Sequence, residues 1–334
     1  MKGRTFRRGV ALLPVLLLTI LFANSCAPFL RSVNGFSMGA SYYVDYYAAS
    51  DLSAEIRAAI SDVDARYSVS FGPSCVSMLD QSGAGAAVSL DEEEYRAFSR
   101  VFALAESSDY AFDPAIFPLV KLWGFDPPVT GTVPPSSERI SETLTHSSLS
   151  LFSLSSDHTV SKSDAAAMLD FGAAMKGYAA ERVRDVLIAA NASSALVYIG
   201  GTIAAVGEDC RIGVTPPRDS KESFAFSFVL KSGEICATSG DYERYFEYDG
   251  VRYHHILDPK TGAPATSDVI SATVISSDGM MADAYATAAV VLGSEKALAL
   301  FERSNVRAAL ITRDLKVITY NVDVTIKDAS YVAE

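Results

Sequence analysis

The chain has 334 residues, 49% of them hydrophobic, enough to bury a large core. A formal net charge of −12 argues against nucleic acid or an anionic membrane surface as the main partner, because a body of that sign repels phosphate. An anionic substrate must therefore be met by a metal ion or by locally gathered bases.

Lys2, Arg4, Arg7 and Arg8 precede an apolar run, Val10 to Phe22, that is short for a membrane span. Ala23-Asn24-Ser25-Cys26 then sets small residues before a cysteine and resembles a bacterial lipobox. Residues 1–25 read as a lipoprotein signal peptide, Cys26 as the lipid-bearing N-terminus and 26–35 as a tether. Without the signal, 24 Lys and Arg stand against 40 Asp and Glu, a charge of −16. Cys75, Cys210 and Cys236 remain, with no CxxC, so no disulfide of weight is expected.

Alternating Tyr and Val predict a strand over Tyr42 to Tyr47. Asp51 then starts a helix to Tyr67, striped by Leu52, Ile56, Ile60 and Val63. Ser68 to Val88 lacks periodicity and reads as a loop. Asp91 to Ser107 reads as a helix whose acidic first turn suits the helix dipole and is expected to be solvated. Pro118 to Phe125 holds the only tryptophan, Trp123, which taken alone reads as core packing. A Pro-rich surface loop follows, 126–137. From Leu169 a strand end is expected to enter a helix running to Ala190. Leu196 to Ile199 reads as a buried strand stopped by Gly200-Gly201. Strands over 224–230, 234–238 and 269–276, helices over 281–292 and 294–303, and a closing hairpin over 308–320 complete an α+β fold. Its sheets are expected to be mixed and largely antiparallel, with packed helices, in one domain over 36–334.

Candidate chemistry gathers between Cys236 and Gly262. His254 and His255 sit on an aromatic strand that ends in the turn Asp258-Pro259-Lys260-Thr261-Gly262. Thr238-Ser239-Gly240 offers small hydroxyls around a glycine where a polar ligand has room to approach. Asp283 and Thr287, four apart on a helix, project from one face as a sparse oxygen pair of the kind that suits Mg²⁺. Their plain reading is an N-terminal helix acid and a surface threonine. Lys176-Gly177 offers a cation near a helix N-terminus, without P-loop spacing.

Seven segments in order carry a family resemblance: Met38-Gly39; Asp113-Pro114 with Leu122-Trp123-Gly124-Phe125; Leu169-Asp170-x-x-Ala173-x-x-Lys176-Gly177; Gly200-Gly201; Thr238-Ser239-Gly240; His255-Ile256-Leu257-Asp258-Pro259-x-Thr261-Gly262; and Ala282-Asp283-Ala284-x-Ala286-Thr287. Together, from about Phe36 to Thr312, they closely resemble the ApbE family of bacterial FAD:protein FMN transferases, commonly periplasmic lipoproteins. The resemblance implies Mg²⁺-dependent cleavage of FAD, release of AMP and esterification of FMN to a threonine or serine of an acceptor protein. It implies Mg²⁺ on Asp283, Thr287 and the Ala173 carbonyl, and FAD held by Asp170 and Lys176. Met38 and the Trp123-Gly124-Phe125 edge would line the adenine end, and the main chain at Leu257 would touch the cofactor. His255 is the candidate general base, with His254 its neighbour. The acceptors expected are electron-transport subunits on the periplasmic side of the inner membrane, where the lipid anchor would hold the chain. The chain departs from the family pattern at Ala40, where threonine is usual, and at Thr202, where Asp or Asn is usual. It departs again at Asp80, where Asn or Tyr is expected, and a carboxylate there would repel FAD phosphates unless it met the metal or pointed away. A hydrolase giving AMP and FMN, and a non-catalytic FAD-binding lipoprotein, are the alternative readings.

Overall fold

A computed structural model describes residues 29–69, 72–126, 130 and 132–334. The expected signal peptide, 1–25, and Cys26 lie outside the described residues. In chain order the elements are β1 (Phe29–Ser37), β2 (Ala40–Ala48), α1 (Ser53–Tyr67), α2 (Cys75–Gln81), β3 (Ala87–Ser89), α3 (Glu92–Ser107), α4 (Phe117–Trp123), α5 (Ser137–Leu144), β4 (Phe152–Ser155), β5 (Thr159–Lys162), α6 (Gly172–Ala189), β6 (Ser194–Ile199), β7 (Thr202–Val206), β8 (Cys210–Val214), β9 (Phe226–Leu230), β10 (Ile235–Gly240), β11 (Tyr245–Tyr248), β12 (Val251–His254), β13 (Val269–Ser276), α7 (Gly279–Leu292), α8 (Ser294–Ser304), β14 (Arg307–Thr312), β15 (Lys316–Tyr320), β16 (Val324–Ile326) and β17 (Val332–Ala333).

A nine-stranded sheet in the order β1-β2-β6-β7-β10-β13-β14-β15-β17 forms the centre. Its neighbours pair antiparallel except β15 with β17. Helices α1, α6 and α7 cover one face, burying the inward set of β2 (Tyr42, Val44, Tyr46, Ala48) by strict alternation. The small sheet β16-β9-β8 covers the other face from β7 to β14, packing Phe226 and Phe228 against Ile275 and Ile311. β13 lies under both layers, so seven of its eight residues are buried. Beyond β7, over β1, β2 and β6, that second layer is absent among the described residues and Tyr43, Leu196 and Tyr198 stay exposed.

The central helices, strands β2, β6, β10 and β13 and the hairpin β14–β15 lie where the sequence led them to be expected. Other segments differ. The expected tether is, from Phe29 onward, the edge strand β1, joined to β2 by a two-residue turn with positive φ at Met38 and Gly39. The expected loop 68–88 contains α2, capped where Ser74 Oγ accepts the Ser77 N–H at 2.9 Å, and β3. β6 is only half buried, since its alternate residues face the open side of the sheet. No strand leads into α6. That approach is an irregular segment pinned by Lys162, whose buried ammonium donates to the carbonyls of Asp80 (2.7 Å), Ala165 (3.0 Å) and Ala167 (2.9 Å). Three carbonyl partners are what let a lysine sit 1% exposed. The acidic first turn of α3 is more than solvated: Glu93 accepts from Tyr178 and Arg182.

Candidate active site

Helices α6 and α7 cross at a pair of glycines. A Cβ on Gly177 would lie 1.8 Å from the Gly279 carbonyl oxygen, and one on Gly279 would lie 2.0 Å from that of Gly177. Only glycine permits this approach, and it brings Asp283 of α7 onto the first turns of α6. The Asp283 side chain, 3% exposed, accepts the Gly177 N–H at 3.1 Å and lies 3.5 Å from Lys176 Nζ. In a regular helix the Gly177 N–H would be directed at the Ala173 carbonyl. Lys176 also donates to the Gly172 carbonyl at 2.7 Å. One turn along α7, Thr287 Oγ1 is 3.1 Å from Ser239 Oγ of β10. Asp283, Thr287, Lys176 and Ala173 are thus brought together.

The entry to α6 forms the next part of the wall. Asp170 takes the Gly172 N–H on Oδ1 at 2.8 Å while its own N–H donates to the Pro114 carbonyl at 2.7 Å. Pro114 is itself fixed by Asp113, which caps the turn at the Ala115 N–H (2.8 Å) and whose carboxyl burial pushes up to about 6. Asp80 accepts the Leu169 N–H at 2.8 Å, and burial pushes its carboxyl up to about 7. The carboxylate that seemed set to repel phosphate therefore points at main chain and is partly protonated near neutrality. Ala40 packs where a Cβ on Gly200 would fall 2.5 Å away, with Lys176 Cδ at 3.1 Å, so the β1–β2 and β6–β7 turns meet beside Lys176. Met38 sits on the first turn, its N–H donating to Asp64 at 3.0 Å. Thr202 is fully buried, with no hydrogen-bond partner for Oγ1.

The opposite wall is the hairpin β11–β12. Its register pairs Tyr245 with His254, which sets Arg244 against His255. The Arg244 carbonyl accepts both the His255 backbone N–H (3.0 Å) and Nδ1 (3.2 Å). A carbonyl only accepts, so Nδ1 carries the proton and Nε2 keeps its lone pair. Loss of solvent, then the charges of Arg244, His254 and Lys176, hold the His255 imidazole well below its ordinary pKa. It is neutral at physiological pH. Asp170 is raised by desolvation, against the Gly172 N–H and the nearby Arg244 and Lys176 charges, and Arg244 is lowered by desolvation. All three keep accessible surface yet are desolvated, which marks the wall of a cleft. His254 points the other way: it is buried, donates through Nε2 to the Ala265 carbonyl at 3.0 Å and leaves Nδ1 unpartnered.

Trp123, Phe125 and Leu257 form a closed cluster with Leu119 and Phe246. Trp123 is 3% exposed and donates Nε1 to the Gly262 carbonyl at 2.8 Å, tying α4 to the Asp258–Gly262 turn. Gly124 ends α4 with φ +72°. What this edge offers a ligand is main chain, not ring faces. Gly240 does not make room for a ligand either, since a Cβ there would strike the Tyr242 ring at 2.2 Å, and Asp241 is buried in a bidentate pair with Arg218.

Sequence reasoning missed Arg244. Its signal was present: Asp249-Gly250 closes the hairpin with positive φ at both residues, and counting back from that turn sets Arg244 opposite His255. Among the described residues no three His, Cys, Asp or Glu gather as a metal cluster. A carboxylate, a hydroxyl and a carbonyl on two crossing helices are a different donor set, hard and sparse. Such a set fits an ion that keeps several waters, and Lys176 now neutralises the buried Asp283.

The model of the ApbE family matches residues 38–311. A protein of Treponema pallidum named FAD:protein FMN transferase is 35% identical over 79% of this chain and 80% of its own length. Among solved structures, the ApbE protein of Thermotoga maritima superposes with a TM-score of 0.77 at 30% identity, covering 90% of this chain and 97% of that one. The apo flavinyl transferase ApbE of Pseudomonas stutzeri gives 0.76 at 32%, covering 90% and 95%. A family model that spans residues 38–311 and a relative 35% identical over most of both chains show that the chain belongs to the ApbE family.

Proposed function

We propose that this protein is an FAD:protein FMN transferase that splits FAD at its pyrophosphate and esterifies FMN to a threonine or serine hydroxyl of an acceptor protein. The observation that carries this reading is the opposition, across one cleft, of a buried carboxylate beside a lysine and a neutral histidine beside an arginine. The acceptor hydroxyl oxygen forms a bond to the FMN phosphorus, the bond to the AMP oxygen breaks with its electron pair, and the hydroxyl proton passes to Nε2 of His255. Such transfers depend on positioning and on neutralising phosphate charge, which Lys176 and Arg244 supply in an otherwise acidic body. Asp283, Thr287 and the Ala173 carbonyl would hold Mg²⁺, which supplies Lewis-acid neutralisation of the pyrophosphate oxygens. The lipobox-like Cys26 supports a lipid anchor on the periplasmic side of the inner membrane, with electron-transport subunits as acceptors.

The test is incubation of the protein with FAD, Mg²⁺ and an acceptor carrying the pattern Asp-x-x-Ser/Thr-x-Ala/Ser-Thr. Release of AMP with a covalently fluorescent acceptor is expected, and Asp283→Ala abolishes both while the protein still melts cooperatively. AMP without a labelled acceptor makes the protein a hydrolase. Neither product makes it a flavin-binding protein.

A further inference from the structure

The open face of the sheet at its N-terminal edge is apolar and aromatic. Strand register places Leu30 opposite Tyr47 between β1 and β2, and Tyr43 opposite Tyr198 between β2 and β6. With Phe36 and Leu196 these side chains share one surface: Phe36 is 73% exposed, Leu30 57% and Tyr43 55%. The Tyr43 and Tyr198 rings lie 6.0 Å apart, centroid to centroid. The carboxylate on this face, Asp45, accepts from Ser32 Oγ at 2.5 Å. The second layer that covers the rest of this face stops at β7. Single exposed apolar residues are ordinary, but this cluster of aromatic and aliphatic side chains, with Ser32, Asn34, Ser41 and Asp45 between them, is a contact surface.

We propose that this face lies against the lipid bilayer on which the chain is anchored, and the proposal rests on the anchored reading given above. The described chain starts at Phe29, three residues after Cys26. Three residues span at most roughly 11 Å. An anchor at Cys26 therefore holds the start of β1, and Leu30 beside it, at the membrane interface. Tyrosines suit that zone because the ring is apolar and the hydroxyl reaches the headgroups. Strand register sets a carboxylate, Asp45, and no basic side chain of β1, β2 or β6 on this face of a strongly acidic body. A second copy on this face would bring two such bodies together. No helix among the described residues is long and apolar enough to cross a membrane. Phe36 flanks the Met38-Gly39 turn beside Lys176, so a bilayer here sets the cleft mouth next to the membrane, where a membrane-bound acceptor presents its hydroxyl.

The experiment places a tryptophan on the face (Tyr43→Trp) or on α8 (Glu295→Trp). Helix α8 packs over β14 and β15, on the order of 30 Å along the sheet from β1. Each full chain is produced in a bacterial host that lipidates exported proteins. It is then reconstituted in vesicles of phosphatidylethanolamine and phosphatidylglycerol doped with phosphatidylcholine brominated on its acyl chains. The expected result is that Tyr43→Trp shifts to the blue and loses most of its added emission, while Glu295→Trp keeps its own. A chain that floats with the vesicles but whose Tyr43→Trp emission is unquenched overturns the docking and leaves the anchor standing. A chain that does not float overturns both. An unquenched face together with a dimer in detergent that Tyr43→Ser/Tyr198→Ser dissolves assigns the face to a second copy instead.

Discussion

The two walls of the cleft are built in opposite ways. The α6–α7 wall lies in the middle of the protein: glycine against glycine, a carboxylate 3% exposed, and each polar group tied to main chain a few ångströms away. The β11–β12 wall is a two-stranded sheet of its own. It is fastened to the body by bonds such as His254 Nε2 to the Ala265 carbonyl, Trp123 Nε1 to the Gly262 carbonyl and Arg244 Nη1 to the Phe125 carbonyl, the last at 3.4 Å. The wall that must fix phosphate charge is rigid. The wall that carries the proton acceptor is a peripheral hairpin, and pre-organisation is expected to matter more on the first than on the second.

The sharpest way to break this comparison is Gly177→Ala. The added Cβ would sit 1.8 Å from a backbone oxygen, so the helices must separate. Overpacking of this kind costs about 3 kcal/mol or more, roughly 5 °C in Tm for a domain of this size. Asp283 moves with α7, and AMP release falls about 100-fold or more. Calorimetry and AMP quantification check both. Unchanged melting and turnover would show that the glycine contact does not align the site.

On the hairpin wall the test is the pH profile. His255 is held below its ordinary 6.5, so in the native enzyme the acid limb of kcat lies below that pH and transfer is flat from about pH 6.5 to 8. Arg244→Met removes a cation that disfavours imidazolium, so the pKa rises and the limb moves toward neutrality. Desolvation is the larger cause and remains, so the shift is partial. His255→Ala lowers transfer by about 10²- to 10⁴-fold and abolishes the limb. An unmoved limb in Arg244→Met would separate that arginine from the base.

Legibility in the sequence followed the same division. α6 and α7 were both expected as helices, and Asp283 and Thr287 share one helix face by spacing. That spacing alone left a plain helix acid and a surface threonine, and only the family resemblance joined them to Ala173 and Lys176. What no local pattern carried was the crossing of α6 and α7, because a glycine contact 102 residues apart in sequence leaves no periodic trace. α2 was missed because seven residues are too few to establish a period. Lys162 gives no local signal, because its burial depends on the carbonyl of Asp80 in α2 joining those of Ala165 and Ala167 a few residues on. Arg244 was legible from the Asp249-Gly250 turn, and only the register count was lacking.

Trp123 gives the smallest effect and separates two uses of one motif. If the Trp123-Gly124-Phe125 edge meets FAD through the indole, removing the indole raises the KM for FAD. If the indole is a strut, its loss lowers stability alone. The ring is 3% exposed, stacks 5.6 Å from Tyr253 and spends its one donor on the Gly262 carbonyl. Trp123→Phe keeps an aromatic ring among Phe125, Phe246 and Tyr253 and deletes that bond, a loss of about 1 kcal/mol. The expected outcome is a Tm lower by about 1–2 °C with KM for FAD changed less than about twofold. A KM increase of about tenfold at unchanged Tm would mean that the cluster opens to receive the cofactor. The hairpin wall would then be the mobile half of the cleft during turnover, whereas α6 and α7 stay fixed.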